Sequence, residues 1–454
     1  MNKFKVILAT SRNNVLGLNN NIPWKNDYPE ELQYFKKITS YSENDKKNVL
    51  IMGRKTFESL PKLLPNRIHI IVSSSFEYKN EDVYVVNSFD LAVKLAMEIN
   101  NNGVFVIGGK SIYIQAFNHY LCGKIYHTII NKDYEGDVFL EIDNYNIIST
   151  NNAMHIKGDL DFRILELKGE YKYLQLLSKI KNQGELRETR NGKTLSIFDD
   201  NLVFDLNDGF PLLTTKKMFW KGIVEELLFF IRGNTNSKLL EEKGVNIWKW
   251  NTTKEFLNKC NLDYSEGDMG PMYGWQWRHF GAEYVDCNYV YNNKGYDQLK
   301  KVIDEIKNDP NSRRIIMTDF NPSQSHLGVL YPCHSLILQF YVNQNRLDVK
   351  MYQRSVDSFL GLPFNIASTS LLLIIIAKLC NYQAGRVIIT MGDIHIYNNH
   401  LNQIETQLNR NPLKMCNVNI PNFKSLEEVE NSKLEDYKLI DYNSYGLIKA
   451  SMVA

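Results

Sequence analysis

Six short apolar or β-branched runs, separated by stretches of helical periodicity, limit most strongly what the first part of this chain can fold into. They are Lys5–Ala9, Asn48–Met52, Arg67–Ser73, Asp82–Val86, Val104–Ile107 and Lys124–Ile130, with helical patterns at Glu30–Thr39 and Ser88–Asn100 between them. Parallel strands need long crossovers, and helices supply them. The alternation therefore predicts an α/β domain over residues 1–168, with a mostly parallel central sheet and flanking helices. A second region, residues 170–454, opens with a helix at Glu170–Lys181, where Tyr171, Leu174 and Leu177 repeat at helical spacing. It then mixes long helices with strands such as Arg314–Thr318 and Ser335–Val342, an α+β pattern. Only Lys168-Gly169 separates the two.

Composition narrows the class. The 454 residues carry 53 Lys and Arg against 51 Asp and Glu, a net charge of +2. That balance argues against a basic nucleic-acid arm, so DNA binding is not expected and RNA binding has no electrostatic support. With 44% hydrophobic and 23% charged residues, the chain can bury a core. Six cysteines, at 122, 260, 287, 333, 380 and 416, include no CxxC pair, which excludes a disulfide scaffold or zinc ribbon. The strongly apolar start, Val6–Ala9, is shorter than the roughly 7–15 residues of a secretory core. The longest apolar run, Leu371–Ala377, falls short of the ~20 residues that span a bilayer. The expectation is a cytoplasmic enzyme without a membrane anchor. His69, His119, His127 and His155 show no paired ligand spacing, so no metal is expected.

Two turns in the first region favour phosphate. Met52-Gly53-Arg54-Lys55-Thr56 and Val106-Ile107-Gly108-Gly109-Lys110-Ser111 each end a strand and begin a helix. Glycine admits a phosphate close to the backbone, and helix N-termini offer unpaired N–H groups. Either turn alone is more often an ordinary tight turn; two in successive βα units point to a dinucleotide, and Arg54, Lys55 and Lys110 suit an extra phosphate. Upstream, Ile22-Pro23-Trp24 precedes a helix carrying Glu31, Leu32 and Phe35. Glu31 is either a solvated helix residue or a carboxylate in an apolar cleft with a raised pKa.

With Val15-Leu16-Gly17, Leu64-Pro65-Asn66-Arg67 and Tyr126-His127-Thr128, this ordered set resembles dihydrofolate reductase across the first region. The resemblance implies that Glu31 holds the pteridine and assists its protonation, and that Thr128 hydrogen-bonds that carboxylate. Leu32 and Phe35 would pack the pterin and aminobenzoyl groups, and Arg67 would pair with the glutamate α-carboxylate. Ala9, Gly17, Trp24, Gly53, Arg54, Lys55, Thr56, Ser73, Ser74, Gly108, Gly109, Lys110 and Tyr113 would line the NADPH site, with Trp24 also ordering water near the ring.

The second region carries Tyr331-Pro332-Cys333-His334, a thiol whose activation needs a neighbouring cation. Arg313-Arg314 and Tyr352-Gln353-Arg354-Ser355-Val356-Asp357 supply candidates and fit a phosphomonoester. Together with Phe359-Leu360-Gly361-Leu362-Pro363-Phe364-Asn365-Ile366-Ala367-Ser368, Gly392-Asp393-Ile394-His395-Ile396-Tyr397, Phe210 to Lys217, Gly270 to Gly274 and Gln276-Trp277-Arg278, they closely resemble thymidylate synthase. The resemblance implies Cys333 as the nucleophile on dUMP, Tyr273 near the C5 proton, and Glu226 ordering water and handling protons. Arg313, Arg314, Arg354 and Ser355 would hold the phosphate, and Arg354 would also lower the Cys333 pKa. Asp357 would meet the pyrimidine and the folate side; His395 and Tyr397 would hold the ribose. Trp248 and Asn251 would line the pocket of 5,10-methylenetetrahydrofolate, and Lys216 would favour the glutamate tail of the folate. Asn365 offers both donor and acceptor to uracil, which favours dUMP over dCMP.

Several positions depart from that pattern. The family's Asp-Arg-Thr-Gly-x-Gly-Thr loop is here Arg187-Glu188-Thr189-Arg190-Asn191-Gly192-Lys193-Thr194, so either Arg187 or Arg190 is the mobile phosphate arginine, with Arg190 preferred. The usual Ala-Trp-Asn is Asp319-Phe320-Asn321, where Asp319 either perturbs the cleft or faces solvent. Tyr331 stands where a small residue or proline is usual, and Ser451-Met452-Val453-Ala454 keeps the family's small apolar ending. The combined expectation is a reductase domain fused to a synthase domain, in a chain that uses dUMP, folates and NADPH. In the synthase family the paired arginines reach the neighbouring subunit's phosphate, so a homodimer through the synthase domain is implied.

Overall fold

The computed structural model describes residues 3–42, 46–142, 147–149 and 155–452. The chain divides into two compact units, Met1–Lys179 with Glu405–Pro412, and Ile180–Ile404 with Leu413–Ala454. The first unit extends past the expected Lys168-Gly169 junction because Tyr171, at the start of the next helix, is fully buried in its core.

In the first unit, β1 (Phe4–Ser11) and β2 (Val15–Gly17) precede α1 (Pro29–Ser40), β3 (Asn48–Gly53) and α2 (Arg54–Glu58). Then come β4 (Arg67–Val72), β5 (Val83–Val86), α3 (Phe89–Glu98), β6 (Val104–Val106) and α4 (Lys110–Asn118). The unit continues with β7 (Cys122–Ile130), β8 (Val138–Phe139), β9 (Ile147–Ser149), β10 (His155–Lys157) and β11 (Leu160–Leu167), and α5 (Glu170–Gln183) leads out of it. The main sheet runs β10-β11-β7-β1-β6-β3-β4-β5, with β9 also on β11. Every pair from β7 to β5 is parallel, and β11 pairs antiparallel with its neighbours.

Central strands read as continuous apolar runs because both faces are covered. In β3, Val49 and Ile51 join one core layer with Phe4, Phe89 and Phe117, while Leu50 and Met52 join another with Ile7 and Phe105. Parallel strands end on the same edge of a sheet, where ligands of open α/β folds sit. Ala9, Gly53, Ser73 and the Gly108-Gly109 turn therefore gather along one edge, at the ends of β1, β3, β4 and β6.

The second unit opens with β12 (Glu185–Thr189) and β13 (Gly192–Asp205), then α6 (Trp220–Ile231), α7 (Lys238–Glu241), α8 (Lys254–Lys259), α9 (Gly274–His279) and α10 (Gln298–Asn308). β14 (Ile316–Met317), β15 (Ile337–Asn343), β16 (Arg346–Asp357), α11 (Gly361–Leu379) and β17 (Gln383–Tyr397) follow. Its six-stranded sheet has the order β12-β13-β17-β16-β15-β14 and is antiparallel except between β16 and β17. Helix α11 packs on β16 and β17. By length and composition it is the one helix among the described residues able to cross a bilayer, yet it is 72% buried inside the unit, as a core helix is. The expected strand Arg314–Thr318 shortens to Ile316–Met317.

Candidate active sites

In the first unit the two glycine turns touch. Gly53 N–H donates to Gly108 O at 2.8 Å. Gly108 has φ +116°, and a Cβ there would lie 3.0 Å from the Tyr113 ring. The Gly108-Gly109 peptide is cis. Tyr113 is buried and donates its hydroxyl to Ile7 O at 2.9 Å, which fixes the ring beneath the turn. Gly109 caps α4, and Lys110 and Ser111 begin it. Arg54 and Lys55 stand exposed at the start of α2, Ser74 is exposed after β4, and Thr56 packs beside Gly109. A side-chain-free cradle ringed by cations and hydroxyls suits the diphosphate and extra phosphate of NADPH. Gly17 lies apart from these turns in sequence, in the β2–β8 ribbon, its carbonyl bound by Asp137 N–H at 3.1 Å.

Helix α1 begins with Pro29, which presets φ, and with Glu30 and Glu31, which favour its positive end. Glu31 turns inward and is 6% exposed. Burial pushes its carboxyl up to about 7, because no cation or donor among the described residues offsets the desolvation. Leu32 and Phe35 are half-buried on the same helix. Thr128 is buried on β7, opposite Ala9 of β1. The expected Thr128–Glu31 hydrogen bond is not made: neither side chain donates to or accepts from the other among the described residues, so Glu31 keeps the full effect of burial. Trp24 is buried edge-on to Tyr134 at 5.6 Å. Arg67 is buried too, its Nε donating to Pro65 O at 3.1 Å and Nη1 to Thr39 Oγ1 at 2.9 Å. Burial lowers its pKa, and Nη2 has no protein partner among the described residues. Sequence reasoning passed over Tyr34, which tilts against Phe162 at 4.5 Å; an aromatic three residues after Glu31 on a helix was the available signal.

In the second unit, Cys333 lies just before β15, its carbonyl accepting from Arg354 N–H of β16 at 3.0 Å. Its Sγ is 3.4 Å from the Tyr273 hydroxyl, and its own N–H donates to that oxygen at 3.4 Å. Tyr273 stacks between Phe230, at 5.1 Å, and His334, at 4.5 Å. Burial pushes the Cys333 thiol up; the Tyr273 hydrogen bond and the Arg354 charge oppose it, and Asp319 adds to the rise. The expected lowering by Arg354 is thus present but outweighed. Burial also lowers His334 to about 4, so this neighbour is a neutral ring near pH 7.

Glu226 is buried on α6, and its Oε1 accepts from Trp248 Nε1 at 2.8 Å. Burial again pushes the carboxyl up to about 7, with Trp248 opposing. Nothing in the local sequence announced this link; Trp248 stands twenty-two residues on. Asn251 is buried near it, one turn beyond Trp248. Lys216 departs from the reading as a tail contact: it is 5% exposed, donates to Phe359 O and stands 3.8 Å over the Phe359 ring.

The parallel pairing of β16 and β17 sets Ser355 opposite Asp393 and Asp357 opposite His395. Asp357 Oδ1 accepts from the N–H groups of Phe359, at 3.0 Å, and Leu360, at 3.1 Å, closing the turn into α11, where Asn365 is half-buried. His395 Nδ1 is 3.1 Å from Asp393 Oδ1, which also accepts from Ser196 Oγ at 2.9 Å. Tyr397 stands edge-on to His395 at 5.3 Å. Arg187 is engaged with Glu185 at 3.0 Å and Asp393 at 3.6 Å, whereas Arg190, in the β12–β13 turn, among the described residues bonds only Asn191, at 3.1 Å. Arg313 and Arg314 are exposed and make no ion pair among the described residues. Asp319 is buried, with neither oxygen hydrogen-bonded among the described residues, so it turns inward and does not face solvent. Val453 and Ala454, half of the expected closing segment, lie outside the described residues.

Comparison with known proteins matches both halves. The dihydrofolate reductase family model covers residues 3–168 and the thymidylate synthase family model residues 171–454. The bifunctional dihydrofolate reductase-thymidylate synthase of Paramecium tetraurelia is 39% identical over 99% of this chain and 98% of its own length. That of Zea mays is 37% identical over 99% and 96%, and that of Plasmodium berghei (strain Anka) 36% over 91% and 84%. With both domains matched in order and whole-length relatives this similar, the chain belongs to the bifunctional dihydrofolate reductase-thymidylate synthase family.

Proposed function

We propose that the residues gathered in the two units carry the family's two reactions in series. The chain methylates dUMP to dTMP with 5,10-methylenetetrahydrofolate, and reduces the resulting dihydrofolate to tetrahydrofolate with NADPH. The observation that carries the assignment of roles is the Cys333 Sγ–Tyr273 OH contact of 3.4 Å, in the same unit as a buried Glu226 with a pKa of about 7.

Cys333 adds to C6 of dUMP, and the electron pair released makes C5 the nucleophile toward the folate methylene. Tyr273, held between two rings, stands where the C5 proton leaves. A carboxyl poised near 7 holds or releases a proton at working pH, and Glu226 does so at the uracil O4 and the folate. As the C5 proton leaves, the bond from the methylene to the folate nitrogen breaks; hydride from the tetrahydrofolate then completes the methyl group and leaves dihydrofolate, and the Cys333–C6 bond breaks to release dTMP and the thiolate. Arg190, Arg313, Arg314, Arg354 and Ser355 bind the phosphate; Asn365 reads uracil; His395 and Tyr397 hold the ribose; and Asp357, Trp248 and Asn251 face the folate side. The exposed turn position of Arg190 and the engagement of Arg187 with Asp393 favour Arg190 as the mobile phosphate arginine. The Arg354 charge opposes the burial that raises the Cys333 thiol, so Arg354 acts on both the nucleophile and the phosphate.

In the reductase, Glu31 holds the protonated pteridine, and Leu32, Phe35 and Arg67 hold the rest of the folate. NADPH, when bound, supplies the hydride. Gly53, Gly108 and Gly109 admit its diphosphate, Arg54, Lys55, Thr56, Ser73, Ser74 and Lys110 its phosphates, and Ala9, Trp24 and Tyr113 the nicotinamide side.

A homodimer through the synthase unit is supported by its sheet. Along β15, exposed Ile337 and Tyr341 alternate with buried Leu338 and Phe340, and Phe198 of β13 is 77% exposed. Arg313 and Arg314 then serve the neighbouring subunit's phosphate. Among the described residues no disulfide joins any of the six cysteines, in keeping with the reducing cytoplasm.

The test mixes the protein with dUMP, methylenetetrahydrofolate and NADPH. Steady dTMP formation with NADPH consumption is expected; Cys333→Ser abolishes the first and leaves dihydrofolate reduction. Turnover of dCMP in place of dUMP would overturn the role of Asn365.

A further inference from the structure

Two departures from the synthase pattern, Tyr331 and Phe320, have no part in the roles above. Eleven positions apart in sequence, they meet in space, ring centroids 5.4 Å apart and tilted by 54°. Tyr331 remains 49% exposed. The Arg354 guanidinium lies 4.8 Å over its ring. The same guanidinium donates from Nη2 to Tyr331 O at 2.8 Å and from Nε to Pro332 O at 2.7 Å. Two carbonyls thus hold the fork along its edge and an aromatic ring covers its face, while Nη1 has no protein partner among the described residues.

We propose that Tyr331, braced by Phe320, is a positioning residue that fixes the Arg354 guanidinium for the dUMP phosphate. The inference rests on Arg354 binding that phosphate. An arginine side chain has many rotamers, and a fork already ordered in the free enzyme loses less freedom when the anion arrives. The ring face attracts the cation electrostatically, which a small residue or proline at this position cannot do. Backbone carbonyls survive any substitution at 331, so removing the ring removes the face contact and its packing on Phe320 but leaves both edge hydrogen bonds.

Calorimetric titration of the full-length protein with dUMP and with deoxyuridine, which lacks the phosphate, separates the possibilities. Tyr331→Ala is expected to weaken dUMP binding about two- to five-fold, the scale of a partly exposed cation–π contact, and to leave deoxyuridine binding unmoved. The KM for dUMP rises by that factor while kcat moves less, and Tyr331→Phe rescues both. Equal weakening of the two ligands, no weakening of dUMP, failure of Tyr331→Phe to rescue, or full rescue by Tyr331→Leu would each overturn the positioning role of Tyr331. Arg354→Gln tests the underlying reading separately: if it weakens dUMP and deoxyuridine alike, Arg354 does not bind the phosphate, whatever Tyr331 does. An unchanged melting midpoint of ligand-free Tyr331→Ala checks that the variant is folded.

Discussion

Glu31 and Glu226 show how a single burial sets chemistry at the residue scale. Each is a carboxyl raised to about 7 by desolvation, one without a donor, one with only Trp248 to oppose it. A raised acid pKa binds protons in the folded state that the unfolded state releases. Stability is therefore full below the ordinary carboxyl value of 4.5 and falls as pH rises toward about 7, by roughly 3 kcal/mol for Glu31. Glu31→Gln removes that titration. The variant is expected to melt higher than the parent at pH 9 and close to it at pH 4.5, while dihydrofolate reduction falls about 10²–10⁴-fold. Melting curves at the two pH values check it; an unchanged difference between them would place the pH dependence elsewhere. Glu31 was legible in sequence because it stands beside Leu32 and before Phe35 on one helix. The Trp248–Glu226 bond and the inward turn of Asp319 were not, since both depend on which distant segments close over them.

Elements obey the same division. β1, β3, β4 and β6 announce themselves as apolar runs because helices cover both faces, and their common direction then brings the glycine turns together without further information. β13 and β17 are harder to read. β13 passes through Asp199, Asp200 and Asn201, with Asp199 at φ +66°, and β17 contains Gly385 and Gly392. Turn-forming composition there is overridden by pairing along eleven positions between the two strands. At the β6–α4 turn, sequence and structure converge on one test. Gly108 has a φ that side chains avoid, and a Cβ would press on a Tyr113 ring that cannot swing without breaking its buried bond to Ile7. Gly108→Ala is expected to cost about 1–3 kcal/mol and to raise the KM for NADPH at least ten-fold. Steady-state kinetics on NADPH check this, with dTMP formation as the control for folding. An unaltered KM would show that the turn does not approach the cofactor.

For the whole molecule, a net charge of +2 on 454 residues gives no broad field to collect anionic substrates, so the arginines must act locally. Arg313 and Arg314 are exposed, make no ion pair with a carboxylate among the described residues, and stand just before the edge strand β14. In the homodimer proposed above, a twofold on the open face of the sheet would make any contact reciprocal, so each chain would give its arginines to the other's site and receive the same. Complementation follows from that symmetry. Arg313→Ala and Cys333→Ser chains, each defective alone, form hybrids in which one site combines an intact Cys333 with the partner chain's intact Arg313, while the second site carries both defects. Random pairing at equal amounts makes half of the dimers hybrid, with one good site in two, so about a quarter of the parental dTMP activity is expected from co-expressed chains. Activity that stays at the sum of the two defective homodimers would mean that each site is complete within one chain, and the alternating face of β15 would then need another explanation.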